Sequence, residues 1–163
     1  MIYKSDPASI EAFLSDTSNL KTGSTPGVYF PETAEETAEL LRSARESGKR
    51  FTIAGNGTGT TGGRIPEGDW VISMQKLDRI GEPVPLPENR AALTVQAGAL
   101  LENVQRKVEQ SGWFYPPDPT EGLCFIGSTI ANNSSGARTF RYGPTRNHIL
   151  RILVALPEGD LFD

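Results

Sequence analysis

The sequence predicts an α+β protein, folded as one domain or as two small lobes. Three observations carry that reading. Residues 28–54 run strand, helix, strand, the order of a β-α-β unit. Residues 91–112 run strand then helix again. Long segments without periodicity separate these units, in a chain of 163 residues with 17 Gly and 12 Pro.

The elements follow in order. "DPASIEAFLSD" reads as a short helix with Ile10, Phe13 and Leu14 on one face, and "GVYFP" as a short strand. "TAEETAELLRSARESGK" is the clearest helix. Thr33 stands at its N-cap with Glu36 three residues on, as in a capping box. Ala34, Ala38, Leu41 and Ala44, with Leu40 beside them, make its apolar stripe, and Gly48 stands at the C′ position. "RFTIA" is a strand that runs into a glycine-rich loop, and "WVIS" is the next strand. A Pro-rich polar stretch, "GEPVPLPEN", comes next. "AALTVQAGA" alternates as a strand. "LLENVQRKVEQSG" is a helix with Leu100, Leu101, Val104 and Val108 inward and Gly112 ending it. Residues 113–148 show little periodicity, and loops of that length inside a compact domain are usually functional. "ILRILVALP" is a strong apolar strand, followed by a "PEGD" turn and "LFD", the start of a hairpin partner.

The loop "AGNGTGTTGG", residues 54–63, has five Gly and three Thr in ten positions. Ordering such a run is costly, because glycine loses the most backbone freedom on folding. A P-loop requires a Lys after the glycines; none is present, and the nearest cation is Arg64. A Rossmann fingerprint fits Gly55, Gly57 and Gly59 loosely, but it must open a crossover helix. Only "RIPEGD" separates the loop from "WVIS", which leaves no room for that helix. The remaining reading is a nest of backbone amides that binds an anion, with the hydroxyls of Thr58, Thr60 and Thr61 as further donors. A neutral loop of N–H and O–H donors suits a pyrophosphate. The plainer alternative is a flexible surface loop. In the second long segment, "PPDP" makes a stiff extended run, and "NNSSG" offers polar side chains beside a permissive Gly136. Taken alone, that cluster is equally a set of turns and caps.

Composition narrows the class. Hydrophobic residues make up 37% and charged residues 22%, as in ordinary globular proteins. A net charge of −4 argues against nucleic acid and anionic membranes as partners. The one cysteine, Cys124, permits no internal disulfide and no cysteine metal cluster. The N-terminus lacks the apolar core of a signal peptide, and no run approaches transmembrane length, so the expected location is the cytoplasm.

Seven motifs in order resemble one family. "PETAEET", "AGNGTGTTGG", "VQAGA", "PPDPT", "IGSTIANNSSG", "RYGPTR" and "VALPEGD" together span nearly the full chain from Val28. They are similar to the FAD-binding domain of the FAD-linked oxidases of the vanillyl-alcohol-oxidase (PCMH) type. The match is to the branch of D-lactate and glycolate dehydrogenases and alkyldihydroxyacetonephosphate synthase. The resemblance implies two small α/β lobes, about 1–80 and about 90–163, with the cofactor between them and the second lobe incomplete. It implies that Gly55, Asn56, Gly57, Thr58, Gly59 and Thr60 meet the FAD diphosphate, and that Thr61 and Gly62 continue toward the flavin. Asp118, Pro119 and Thr120 would lie along the middle of the cofactor. Gly127, Ser128, Asn132, Asn133 and Ser134 would supply the second lobe's contacts.

This sequence departs from the family pattern at two places. Asn56 stands where the family has a glycine, though Asn tolerates the left-handed region. Ser128 replaces the second glycine of an I-G-G pair. Some relatives attach the flavin through His or Cys. His148 and Cys124 match those positions poorly, so the FAD is expected to be non-covalent. The family's catalytic His and substrate-binding Arg belong to later parts and to a cap domain absent here. No catalytic residue is therefore assigned, and the 163 residues alone are expected to turn over nothing. A small-molecule substrate would bind only with that cap domain. The resemblance implies an FAD-dependent oxidoreductase acting on a small D-2-hydroxy acid such as lactate or glycolate. The alternative is a non-catalytic flavin- or nucleotide-binding module completed by a partner chain. Homo-oligomer formation stays open.

Overall fold

The β-α-β segment read from the sequence forms the centre of the first of two structural units. A computed structural model describes residues 1–20 and 22–163. The first unit comprises Met1–Lys76 with Arg151–Asp163, and the second Leu77–Leu150. In the first unit β1 (Ile2–Lys4) is followed by α1 (Pro7–Ile10) and a 3-10 turn, Glu11–Phe13. Then come β2 (Val28–Phe30), α2 (Ala34–Ser47), β3 (Phe51–Ala54) and β4 (Trp70–Ser73). The sheet order is β1-β2-β4-β3, with β2, β4 and β3 parallel and β1 antiparallel at the edge. Neighbouring strands β3 and β4 are joined by residues 55–69 without a helix. Parallel neighbours need a crossover of about a dozen residues or more, and here the glycine-rich segment supplies it.

The register sets the faces of this sheet. Val28, Phe30, Ala54 and Val71 share one core, and the α1 region closes over it with Phe13 and Ile10. Tyr3, Tyr29, Phe51 and Trp70 form a linked aromatic group on the opposite face. Asp6 caps α1 by accepting from the Ser9 N–H, with Pro7 at the start. Thr33 Oγ1 caps α2 by accepting from the Glu36 N–H at 3.1 Å. Glu36 Oε2 accepts from the Glu32 N–H at 2.8 Å, one residue earlier than the reciprocal bond of a capping box. Gly48 ends α2 in the left-handed region, φ +66°. The buried residues of α2 are Thr37, Ala38, Leu40 and Ala44, so Leu40 rather than Leu41 lies at the centre of the stripe. Adjacent leucines lie about 100° apart on a helix, and the spacing of the alanines fits either.

In the second unit, β5 (Val84–Leu86) and β6 (Arg90–Ala92) make an antiparallel hairpin. The Pro-rich polar stretch, given no element from the sequence, therefore holds a strand. Pro85 is tolerated because a two-stranded hairpin consists only of edge strands. The expected strand "AALTVQAGA" is correspondingly short. It leaves β6 at Ala92 and continues only through an isolated bridge, Ile80 with Val95. Helix α3 (Leu101–Gln110) buries Leu101, Val104 and Val108. Leu101 and Val104 pack with Ala99, Cys124 and Ile126 in this unit's core. Residues without sequence periodicity form α4 (Ile126–Ala131), α5 (Thr139–Tyr142) and a 3-10 turn, Thr145–His148.

The last residues belong to the first unit. β7 (Val154–Ala155) pairs with β8 (Leu161–Phe162), the hairpin partner expected from "LFD". The sequence grouped this tail with the second lobe, but its contacts are with α2. Arg42 Nη2 donates to the Gly159 carbonyl at 2.6 Å, and Arg45 pairs with Glu158 at 3.7 Å. Of the expected long apolar strand only two residues are paired, and Ile152 and Leu153 are exposed.

Candidate functional site

The glycine-rich loop leaves the carboxyl end of β3, where ligands bind in open parallel sheets. Gly57 and Gly62 have φ of +77° and +75°, which L side chains rarely adopt. A Cβ on Gly57 would stand 2.8 Å from Arg64 Nη1, and one on Gly62 2.8 Å from Leu20 Cδ1. Gly59 differs: its φ lies outside the left-handed region, and a Cβ there would meet no atom within 4 Å among the described residues beyond its chain neighbours. Packing among the described residues therefore gives Gly59 no reason to be glycine, whereas close approach of a ligand does. Asn56 keeps φ outside the left-handed region, so it does not reproduce a glycine conformation there.

The loop's carbonyls are held from behind. Arg64 Nη1 donates to the Gly55 carbonyl at 2.9 Å, and Nη2 donates to the Ala12 carbonyl. The guanidinium lies 5.4 Å from the Phe13 ring centroid. Burial lowers its pKa from the ordinary arginine value, and Asp16 pulls the other way. The Gly57 carbonyl accepts from both the N–H and Oγ1 of Thr17, at 3.1 and 2.9 Å. The amides of Gly57, Thr58, Gly59 and Thr60 donate to no backbone carbonyl among the described residues. Thr58 is half-buried, while Thr60 and Thr61 are exposed. This is a neutral surface of N–H and O–H groups with a cation behind it, the arrangement that suits a diphosphate. Sequence reading missed Thr17 and assigned Arg64 no role.

The second group of expected site residues lies within the second unit. Asp118 Oδ2 pairs with Arg138 Nε at 3.3 Å. A Cβ on Gly136 would fall 1.7 Å from the Asp118 carbonyl oxygen, so glycine there lets the 118–119 backbone and the 134–136 turn touch. Pro119 is half-buried and Thr120 exposed. Gly127 is explained by packing: its N–H donates to Ala97 O at 2.8 Å, and a Cβ would stand 2.8 Å from Ala97 Cβ. Ser128 sits on α4, and its carbonyl accepts from Asn132 Nδ2 at 2.9 Å. Asn133 has φ +44°, and its Oδ1 accepts from the Arg146 N–H at 3.1 Å. The Ser134 carbonyl accepts from the N–H and Oγ1 of the fully buried Thr145. Two motifs quoted separately, "NNSSG" and "GPTR", are thus bonded to each other.

Burial pushes the Cys124 thiol pKa up from its ordinary value. Burial, with Cys124 adding to it, pushes Tyr115 up to about 12. His148 Nε2 lies 3.0 Å from the Tyr142 carbonyl. Among the described residues, no group of three His, Cys, Asp or Glu side chains could hold a metal ion, and no helix is long and apolar enough to cross a membrane.

Residues 25–163 match the FAD binding domain family, and the chain belongs to it. Its cofactor is FAD. It is 32% identical over 98% of its length to a D-2-hydroxyglutarate dehydrogenase from Xanthomonas citri pv. viticola, covering 34% of that protein. It is 31% identical over 93% of its length to a D-lactate dehydrogenase from Anaerostipes hadrus, covering 32% of it. The Bacillus subtilis glycolate oxidase subunit GlcD is 34% identical over 82% of the chain, with 28% of its own length covered. The chain thus spans about a third of the curated relatives it matches. Its fold matches 6-hydroxy-D-nicotine oxidase from Arthrobacter nicotinovorans with a TM-score of 0.80, at 17% identity over 99% of this chain and 34% of the other. It matches an alkyldihydroxyacetonephosphate synthase with a TM-score of 0.81, at 18% identity over 95% of this chain and 33% of the other. These likenesses confirm the expected α/β architecture of the vanillyl-alcohol-oxidase type.

Proposed function

We propose that this chain is the FAD-binding portion of a flavin-dependent oxidoreductase that oxidises a small D-2-hydroxy acid. The observation that carries the binding site is the loop after β3, with its carbonyls tied back and Gly59 open to a ligand. Residues 55–60 receive the diphosphate, and Thr61 and Gly62 lead toward the flavin. Asp118, Pro119, Thr120, Gly127, Ser128, Asn132, Asn133 and Ser134 are the further residues of this chain proposed for FAD. When bound, the flavin supplies hydride acceptance. These residues bind and orient it. Relatives named for D-2-hydroxyglutarate, D-lactate and glycolate support the substrate class. The raised Cys124 thiol and the engagement of His148 Nε2 with Tyr142 support non-covalent attachment.

The whole protein that contains this chain, once purified, should show an oxidised-flavin spectrum, and acid precipitation should leave the flavin in the supernatant. Anaerobic addition of D-lactate, D-2-hydroxyglutarate or glycolate should bleach it. A protein that binds no FAD would overturn the cofactor site. A yellow protein bleached by none of the three would overturn the substrate class.

A further inference from the structure

We propose that Arg64 and Thr17 are positioning residues that hold the loop in its anion-binding form; this rests on the diphosphate reading above. A trans peptide is planar, with its C=O and N–H pointing in opposite directions. The Gly55 carbonyl is taken by Arg64, so the Asn56 N–H is turned to the other side of the loop. The Gly57 carbonyl is taken twice by Thr17, so the Thr58 N–H is turned the same way. A nest binds an anion only while its carbonyl oxygens are kept off that side, since each carries partial negative charge toward the phosphate. The two residues hold the carbonyls from a common wall. Arg64 is anchored on the Ala12 carbonyl and over Phe13, whose side chain is buried against the sheet. Leu20 abuts Gly62 further along. The segment 12–20 is therefore the back of the loop. Arg64 also places a cation behind a loop that has none of its own, where the lysine of a P-loop would otherwise act from the front. Its Nε is buried without a hydrogen-bond partner among the described residues. A group left so costs free energy.

The test uses FAD-stripped protein titrated with FAD, with ADP (the diphosphate without flavin) and with riboflavin (flavin without phosphate). Arg64→Met should weaken FAD and ADP by the same factor, at least about tenfold, because a hydrogen-bonded charge is removed. Riboflavin affinity should not change. Thr17→Val should weaken FAD and ADP in the same parallel way, and Thr17→Ser, which keeps the hydroxyl, should restore parental affinity. Circular dichroism and melting temperature check the fold. If Arg64→Met does not fold, the Thr17→Val and Thr17→Ser pair decides alone. Unchanged ADP affinity in folded Arg64→Met, or in Thr17→Val where Arg64→Met does not fold, overturns the positioning role and leaves the FAD reading intact. Equal losses for riboflavin and ADP also overturn it, because the effect would then be general. A parent protein that binds neither FAD nor ADP overturns both readings.

Discussion

Glycines in this chain are glycine for different reasons, and single substitutions separate them. Gly136 is required by the protein itself, since a methyl there would overlap the Asp118 carbonyl. Gly136→Ala should destabilise the protein by about 1–3 kcal/mol, the usual cost of overpacking, in chemical denaturation. An unchanged midpoint would mean that the 118–119 backbone moves aside freely. Tyr115 offers a second residue-scale check. Its pKa is raised by burial, with the ordinary tyrosine value near 10 and the folded value at about 12. A raised folded pKa means stability is complete below the unfolded pKa and is lost as pH rises through the folded one. Tyr115→Phe should therefore remove part of the alkaline destabilisation between pH about 10 and about 12. Ultraviolet titration of parent and Tyr115→Phe should give the same tyrosinate signal in the normal range, and a smaller signal there in the variant would contradict the burial.

The elements with strong local signals were legible. Thr33, the alanines and Gly48 specify α2 through capping, periodicity and a left-handed end. Thr33→Ala should cost about 1 kcal/mol, measurable as a shift of the denaturation midpoint, because it removes the acceptor for the Glu36 N–H. No shift would show that Glu36 or water serves equally. What was misread lacked a local signal. Pro85 disguised β5, and α4, with six residues, is too short to show a 3.6-residue period. The apolar run at 150–155 overstated β7, because apolar character does not say which backbone is paired. In the site, the glycine loop could be read from composition alone. Its back wall could not: Thr17 meets Gly57 across forty residues, and Arg64 meets Ala12 across fifty-two. Such contacts exist only once the 3-10 turn Glu11–Phe13 has packed Phe13 on the sheet.

At the scale of the molecule, two units each carry their own core and their own group of polar, glycine-containing turns. The family match spans both, from residue 25 to residue 163. Two motifs after the first loop are bonded to each other, Asn133 Oδ1 accepting from the Arg146 N–H and the Ser134 carbonyl from Thr145. The first loop is the reverse case. Its carbonyls are bound from behind, and the amides of Gly57 to Thr60 donate to no backbone carbonyl among the described residues. The account's central claim is therefore that this loop is shaped for a ligand rather than for the fold, and Gly59 isolates it. Calorimetric titration of FAD into stripped parent protein and Gly59→Val, with melting temperatures for both, tests it most directly. The account predicts equal melting temperatures and an FAD affinity at least about tenfold weaker in the variant, about 1.4 kcal/mol. Equal affinity at equal stability would contradict it.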